Sequence, residues 1–202
     1  MNNLLIFIFY YVLILFSIIG YGFFFLRLCK LDKRLENIGY IGIFGIFFLI
    51  IYSYLSNFFV AHAEIHNVLI ILFGLLNFIF SVRKFNFKYK NQFFFIFAVF
   101  FLLVLGLFQF KNHDDFPYYH FPYTYYLTQQ SLHFGIGQFN HGFRTPSSIF
   151  YLNSLFYLPF AKFYLFNFSS AFILGFTNII LLEKIHHFFS FTKIKKRQIS
   201  LI

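Results

Sequence analysis

The sequence predicts an all-α fold, a bundle of about five transmembrane helices with an outer loop that carries juxtamembrane helices. Hydrophobic residues make up 60% of the 202 positions and charged residues only 11%, too few to cover a soluble domain. Apolar runs of about 18 to 23 residues recur along the chain, which is long enough to cross a bilayer. Basic residues cluster in short loops between these runs.

Five apolar runs account for the predicted spans. An uncharged start at positions 1–3 favours a retained first helix over a signal peptide. In the second run, Gly39, Gly42 and Gly45 share one helix face and predict close helix packing. The stretch 149–160 is interrupted by a proline, so we expect an interfacial or re-entrant helix there, with a full crossing as the alternative. The predicted spans cover residues 4–26, 38–55, 66–82, 92–110 and 163–182.

The positions of Lys and Arg predict the orientation of the chain. Three loops hold thirteen of the sixteen basic residues, namely 27–36, 83–90 and 184–197, and such loops are typically cytoplasmic. The predicted protein is a multi-pass protein of the plasma (inner) membrane with its N-terminus outside. Its predicted parts are four transmembrane helices in 1–110, an extracytoplasmic loop in 111–160, and a fifth transmembrane helix with a basic cytoplasmic tail in 161–202. Because the net charge of +10 is explained by topology, the lipid bilayer is a predicted partner and nucleic acid is not.

An acidic pair opens the outer loop. Asp114 and Asp115 follow Phe110, the last residue of the fourth apolar run, by four and five positions, which places both carboxylates at the outer membrane–water interface. Adjacent carboxylates repel each other and lose hydration there, and a carboxylate in such a setting suits a general base. The alternative role for Asp115 is to cap a helix whose first turn contains Pro117.

Arg144 is the one arginine outside the predicted cytoplasmic loops. A planar guanidinium is the preferred partner for phosphate oxygens, so Arg144 is a candidate phosphate ligand. A pair with one of the two aspartates, or with lipid headgroups, is the alternative. Upstream of it, a helix is predicted from Pro122 to His133, lying on the membrane surface with its tyrosines at the interface and Gly135 beyond its end.

Four histidines of the outer loop are candidate metal ligands. His113, His120, His133 and His141 show no pair at the four-residue spacing that places two ligands on one helix face. No metal or other cofactor is therefore predicted, and a divalent metal is left open without being indicated. A pair at that spacing occurs in the other outer loop, in HAEIH at residues 62–66, where solvation at the interface is the expected role.

The run DDFPYYHFP…GIGQFNHGFRTPSSIFYLNSLFYLP, within residues 112–160, resembles GT-C-type glycosyltransferases such as the protein mannosyltransferases. More closely, it resembles a group of uncharacterised bacterial membrane proteins related to that class. The resemblance implies transfer of a sugar from a polyprenyl-phosphate carrier to a glycan, lipid or protein acceptor of the cell envelope, with Asp114 or Asp115 as catalytic base.

Within that resemblance, the polar residues of the loop acquire expected roles. Arg144, helped by His120 or His141, would stabilise the departing lipid phosphate. Three tyrosines could stack on sugar faces, namely Tyr118, Tyr119 and Tyr123. Enzymes of the class usually have more spans than this chain, so we expect an N-terminal fragment. The rival functions are a non-catalytic membrane scaffold and a subunit of a glycan or lipid transporter.

Overall fold

The structure is a computed structural model that describes residues 2–31, 37–83, 90–108 and 114–199. Within these ranges the regular structure is helical, apart from one isolated β-bridge between Leu158 and Lys162. The predicted all-α class is thus confirmed. The helices are α1 (Asn2–Leu28), α2 (Ile38–Asn57), α3 (Glu64–Val82), α4 (Lys90–Leu107), α5 (Phe121–Gln129), α6 (Ser148–Ser154) and α7 (Phe168–Ile199). Shorter elements are a π-helix (Phe116–His120) and the 3₁₀ turns Ile136–Gln138, His141–Arg144 and Phe163–Leu165.

Four helical segments of the described chain are long and apolar enough to cross a membrane. They match four of the five predicted spans and identify a membrane protein. Each of these segments has 19 to 25 residues, which suits a hydrocarbon core about 30 Å thick. The segments are Leu4–Leu28, Ile38–Asn57, Glu64–Val82 and Phe163–His186.

The fourth predicted span, 92–110, corresponds to α4 and is the short member of the set. Its described apolar part is Phe94–Leu107, which at 1.5 Å per residue is about 21 Å long. The last positions of the prediction, 109 and 110, lie outside the described residues. α4 nevertheless belongs to the bundle, because Phe100 contacts both α7 and α1. The Phe100 ring packs on Gly175 of α7, and the Phe100 backbone carbonyl accepts a hydrogen bond from the Tyr11 hydroxyl of α1 at 3.1 Å.

Glycines let the long helices approach closely, as the spacing in α2 predicts. A methyl group added to Gly45 would lie 2.0 Å from the carbonyl oxygen of Ile18 in α1. Gly42 lies directly against the Phe176 ring of α7. α1 and α3 meet in the same way, where Gly20 contacts the backbone of Gly74. Helices in lipid associate through close backbone approach of this kind, because the burial of apolar surface contributes little to helix association there.

Residues 114–167 form a cap on the end of the bundle where α2 stops and α3 starts. Two backbone hydrogen bonds tie the cap to that end: His62 N–H donates to the Leu127 carbonyl at 2.9 Å, and Leu132 N–H donates to the Asn57 carbonyl at 2.8 Å. The predicted extracytoplasmic loop is thus packed against this end of the helix bundle.

The surface helix predicted from Pro122 to His133 is wrong in its end and in its environment. α5 stops at Gln129, because the side-chain amide of Asn57 donates to the Leu127 carbonyl at 3.1 Å and Gln130 turns to extended backbone. Tyr123 is fully buried against the aromatic residues of α6, and its hydroxyl lies 3.0 Å from that of Tyr151. The helix is therefore half sunk into the cap.

The stretch 149–160 contains α6, which has seven residues. Such a helix is about 10 Å long and too short to cross a bilayer. Its residues from Phe150 to Ser154 are buried between α2, α5 and α7, and the Ser147 hydroxyl caps its start by accepting from Ile149 N–H. α6 therefore lies inside the junction of cap and bundle, and the end of the stretch at Phe160 is exposed.

Candidate functional site

The two aspartates stand at the start of the π-helix. Asp114 is exposed, whereas Asp115 is half-buried and occupies the position before Phe116. Pro117 lies in the first turn of the π-helix, as expected. The Asp115 side chain, however, does not accept a hydrogen bond from the backbone N–H groups at the start of that helix. Its Oδ2 instead accepts a long hydrogen bond from the Tyr119 hydroxyl at 3.4 Å. The predicted helix-capping role of Asp115 is therefore wrong, and its carboxylate contacts the Tyr119 hydroxyl one helical turn later instead.

Tyr119 joins the π-helix to the His141–Arg144 turn. A methyl group on Gly142 would lie 2.3 Å from the Tyr119 Cβ, so the turn fits against this side chain only because position 142 has none. Desolvation and the neighbouring Asp115 carboxylate both raise the pKa of the Tyr119 phenol, so it stays a hydrogen-bond donor at neutral pH. Tyr119 therefore bridges an acid and the turn that carries the arginine.

His120 and Tyr118 flank this bridge differently. The His120 ring is half-buried, edge-on to Tyr119 with centroids 4.4 Å apart and 5.0 Å from the ring of Phe150. Tyr118 lies 74% exposed on the same π-helix. Of the two, His120 is held by aromatic contacts, while Tyr118 is open to a ligand.

The His141–Arg144 turn is built locally. The Asn140 side chain accepts from Gly142 N–H at 2.9 Å and starts the turn. Arg144 Nε donates to the Gly137 carbonyl at 3.1 Å, which aligns the guanidinium while the side chain stays exposed. His141 is exposed at the start of the turn.

The π-helix and the His141–Arg144 turn, which carry or adjoin most of the predicted site residues, are in contact through Tyr119 and Gly142. We call this region the Asp115–Arg144 face; the predicted site residues on it are Asp115, Tyr119, His120, His141 and Arg144. Tyr123 was the third tyrosine predicted to stack on a sugar ring. This prediction is wrong, because Tyr123 is buried beneath the face. His113 lies outside the described residues. In the described ranges no group of three His, Cys, Asp or Glu side chains is placed to hold a metal ion.

A second polar cluster was missed from the sequence. His62, expected at a solvated interface, is fully buried between α2 and α6. Its Nδ1 lies 2.6 Å from the Ser154 hydroxyl, whose own proton is directed to the Tyr151 carbonyl at 2.7 Å. Nδ1 must therefore carry the ring proton and donate it to Ser154, which leaves Nε2 to accept from the Ser56 hydroxyl at 2.9 Å.

His66, four residues along the chain in the first turn of α3, repeats this arrangement. The Asn67 amide nitrogen faces the carbonyls of His62 and Ser154 at 2.7 and 2.8 Å, which fixes the amide orientation. Its oxygen, 3.0 Å from His66 Nδ1, then accepts from that ring, and His66 Nε2 accepts from the Tyr52 hydroxyl at 2.9 Å. The two imidazoles stack nearly parallel with centroids 5.1 Å apart.

Ser56, His62, His66, Asn67 and Ser154 together form what we call the His62 cluster. Burial, and secondarily the nearby His66, lower the pKa of His62 from 6.5 to about 3, so its imidazole is neutral at physiological pH. The spacing of the two histidines was visible in the sequence. Their hydroxyl partners on α2 have the same four-residue spacing (Tyr52 and Ser56), and this matching is the signal that could have located the cluster.

No curated protein sequence and no solved structure is detectably similar to the chain. One family model matches residues 4–202, and its description is a domain of unknown function, DUF8201. Since the match covers nearly the whole sequence, the chain belongs to the DUF8201 family.

Proposed function

We propose that the chain is a membrane glycosyltransferase of GT-C type that transfers a sugar from a polyprenyl-phosphate carrier to an acceptor of the cell envelope. The observation that carries the proposal is the contact of Tyr119 with both Asp115 and Gly142. This contact brings a carboxylate and the turn of Arg144 to one face of the cap. A base and a phosphate ligand are the two groups that displacement of a lipid phosphate from a sugar requires.

The orientation in this proposal follows from the basic loops. With those loops in the cytoplasm, the cap and its Asp115–Arg144 face lie outside the plasma membrane. A lipid-linked sugar keeps its headgroup at the membrane–water interface, so a cap resting on the ends of the long helices suits such a substrate.

The proposed step is an in-line displacement. The Asp115 or Asp114 carboxylate takes the proton of an acceptor hydroxyl, whose oxygen attacks the anomeric carbon. The bond between that carbon and the phosphate oxygen breaks, its electron pair stays on the phosphate, and the anomeric configuration inverts. Arg144 stabilises the phosphate as it leaves.

Position on the face favours Asp115 as the base and gives His120 and His141 secondary parts. Asp115 is oriented by Tyr119, whereas Asp114 is exposed one residue earlier. The histidines lie on the two sides of the contact and can supply hydrogen bonds to the phosphate or the acceptor. Tyr118, exposed beside them, is the platform for a sugar ring.

The test is a transfer assay in proteoliposomes. The donors are polyprenyl-phosphate-linked mannose, glucose and galactose, each labelled in the sugar, with an envelope fraction as acceptor. Asp115→Asn should lower the rate by about 10²- to 10³-fold, and Arg144→Gln by a similar factor, with partial recovery in Arg144→Lys. Glu64→Gln, which neutralises a carboxylate of α3 outside the face, is the matched control and should leave the rate unchanged.

Two results would overturn the proposal. Full activity in Asp114→Asn, Asp115→Asn and the double variant would remove the catalytic role of the acids. No transfer from any of the three donors by the wild-type protein would favour the non-catalytic scaffold instead.

A further inference from the structure

The turn between α6 and α7 has an unusual backbone. Phe160 has φ +65° and Lys162 has φ +45°, both in the left-handed region that disfavours residues with a Cβ. Elsewhere in the cap, the described residue with a positive φ is a glycine, Gly135 at +85°. Lys30, the other described non-glycine residue with positive φ, follows the last turn of α1, where such a conformation is the ordinary way to end a helix.

The strained turn is held in place from the inside. Leu158 and Ala161 are buried, and Lys162 N–H donates to the Leu158 carbonyl at 2.7 Å. The residues between and after them point outward, with Phe160 85% exposed, Tyr164 69% exposed and Lys162 also exposed. A strained conformation persists when its surroundings over-determine it, and such strain is commonly kept where the side chain has a function.

The position of the turn identifies what these outward side chains meet. The candidate span Phe163–His186 begins at the residue after Lys162, so the turn lies where the chain passes between water and hydrocarbon. Aromatic rings and lysines with long apolar stems are enriched at that level, where the rings reach the acyl boundary and the ammonium group reaches the phosphates.

We propose that this turn is a phospholipid-binding site: the Lys162 ammonium group pairs with the phosphate of a bilayer phospholipid, while Phe160 and Tyr164 pack on the upper part of its acyl chains. The site is separate from the Asp115–Arg144 face and does not depend on the proposed transfer reaction. It would hold the cap at a defined height on the bilayer, next to the point where α7 enters it.

The first test uses the absence of tryptophan from the sequence. Phe160→Trp creates a single-tryptophan protein, whose emission is measured in phosphatidylcholine–phosphatidylglycerol nanodiscs with and without lipids brominated near the headgroup. We expect a blue-shifted emission and strong quenching. Phe139→Trp, at an equally exposed position in a cap turn that does not adjoin a described span, is the matched control and should be quenched less. Equal quenching at the two positions, or none at position 160, would overturn a site at this turn.

The second test measures bound phosphatidylglycerol by native mass spectrometry in detergent. Lys162→Gln should weaken its retention about fivefold, since a lysine near a lipid surface contributes roughly that factor, and Lys162→Arg should retain it. Inorganic phosphate at millimolar concentration should not displace the lipid. Full displacement by phosphate would show that the turn binds a phosphate ion rather than a lipid, and would contradict the proposal.

A third variant separates lipid binding from a purely structural role. Phe160→Gly removes the exposed ring and relieves the left-handed backbone, so the melting temperature should stay equal or rise while phosphatidylglycerol retention falls. A lower melting temperature with unchanged lipid retention would mean that Phe160 serves the fold, and the proposal would fail.

Discussion

The His62 cluster and the Asp115–Arg144 face lie at the same end of the molecule and are built in opposite ways. In the cluster, both nitrogens of the His62 ring have hydroxyl partners and the ring is shielded from solvent. On the face, Arg144 and His141 are exposed, and Asp115 is half-buried beside the Tyr119 hydroxyl. Saturated buried polar groups hold elements together, whereas exposed groups with spare capacity can bind a ligand. We therefore infer a structural role for the first region and propose a chemical role for the second.

The largest expected effect is a pH dependence of stability that originates in the cluster. His62 has a folded-state pKa of about 3, against 6.5 when unfolded, so between these values the unfolded chain binds the additional proton. The free energy of unfolding should therefore fall as pH drops from about 6.5 towards 3, by at most about 5 kcal/mol over the whole window. Thermal denaturation in detergent across this range measures it. His62→Gln should lose most of this slope, and an unchanged slope would place its origin elsewhere.

The next effect concerns the two histidines as a matched pair. His62→Ala leaves a cavity and removes one hydrogen-bond partner from each of Ser56 and Ser154, so the free energy of unfolding at pH 7 should fall by about 3 kcal/mol. His141→Ala removes an exposed ring and should change it by less than about 0.5 kcal/mol. Denaturant or thermal unfolding in detergent would compare the two. Equal losses would break the assignment of stability to the buried cluster.

A smaller effect is expected from a methyl group at the contact between the π-helix and the turn. Gly142→Ala would push against Tyr119 and separate Asp115 from the Arg144 turn, at a cost of about 1–2 kcal/mol in stability. The transfer rate should fall as well. Gly106→Ala is the control, because no neighbouring atom of the described residues lies within 4 Å of the added methyl group in α4, and alanine favours a helix. If both variants behave alike in unfolding and transfer assays, the contact does not position the site.

The sequence was sufficient for what local patterns determine. Run length predicted the long helices, and the glycine spacing in α2 predicted their close approach, because both depend on residues within one helix. The charge and turn residues of 112–148 located the face, since Asp115 and Tyr119 are one turn apart and Gly142 and Arg144 share a turn.

What escaped prediction depends on contacts between distant segments. α5 ends at Gln129 because Asn57, seventy positions earlier than Leu127, supplies donors to its last carbonyls. His62 is buried because α6 covers it and places Ser154 against its ring. The residues around position 62 contain no pattern that predicts this contact. Tyr123 illustrates the same limit: a tyrosine suits a membrane interface or a buried hydrogen bond equally well, and only the position of α6 decides.

The most direct test of the account compares Asp115→Asn with His62→Ala in one preparation, measuring the melting temperature in detergent and the release of polyprenyl phosphate in proteoliposomes. We expect Asp115→Asn to keep the wild-type melting temperature and to lose transfer, and His62→Ala to melt several degrees lower. An Asp115→Asn protein that transfers sugar at the wild-type rate, or that melts as early as His62→Ala, would contradict the account.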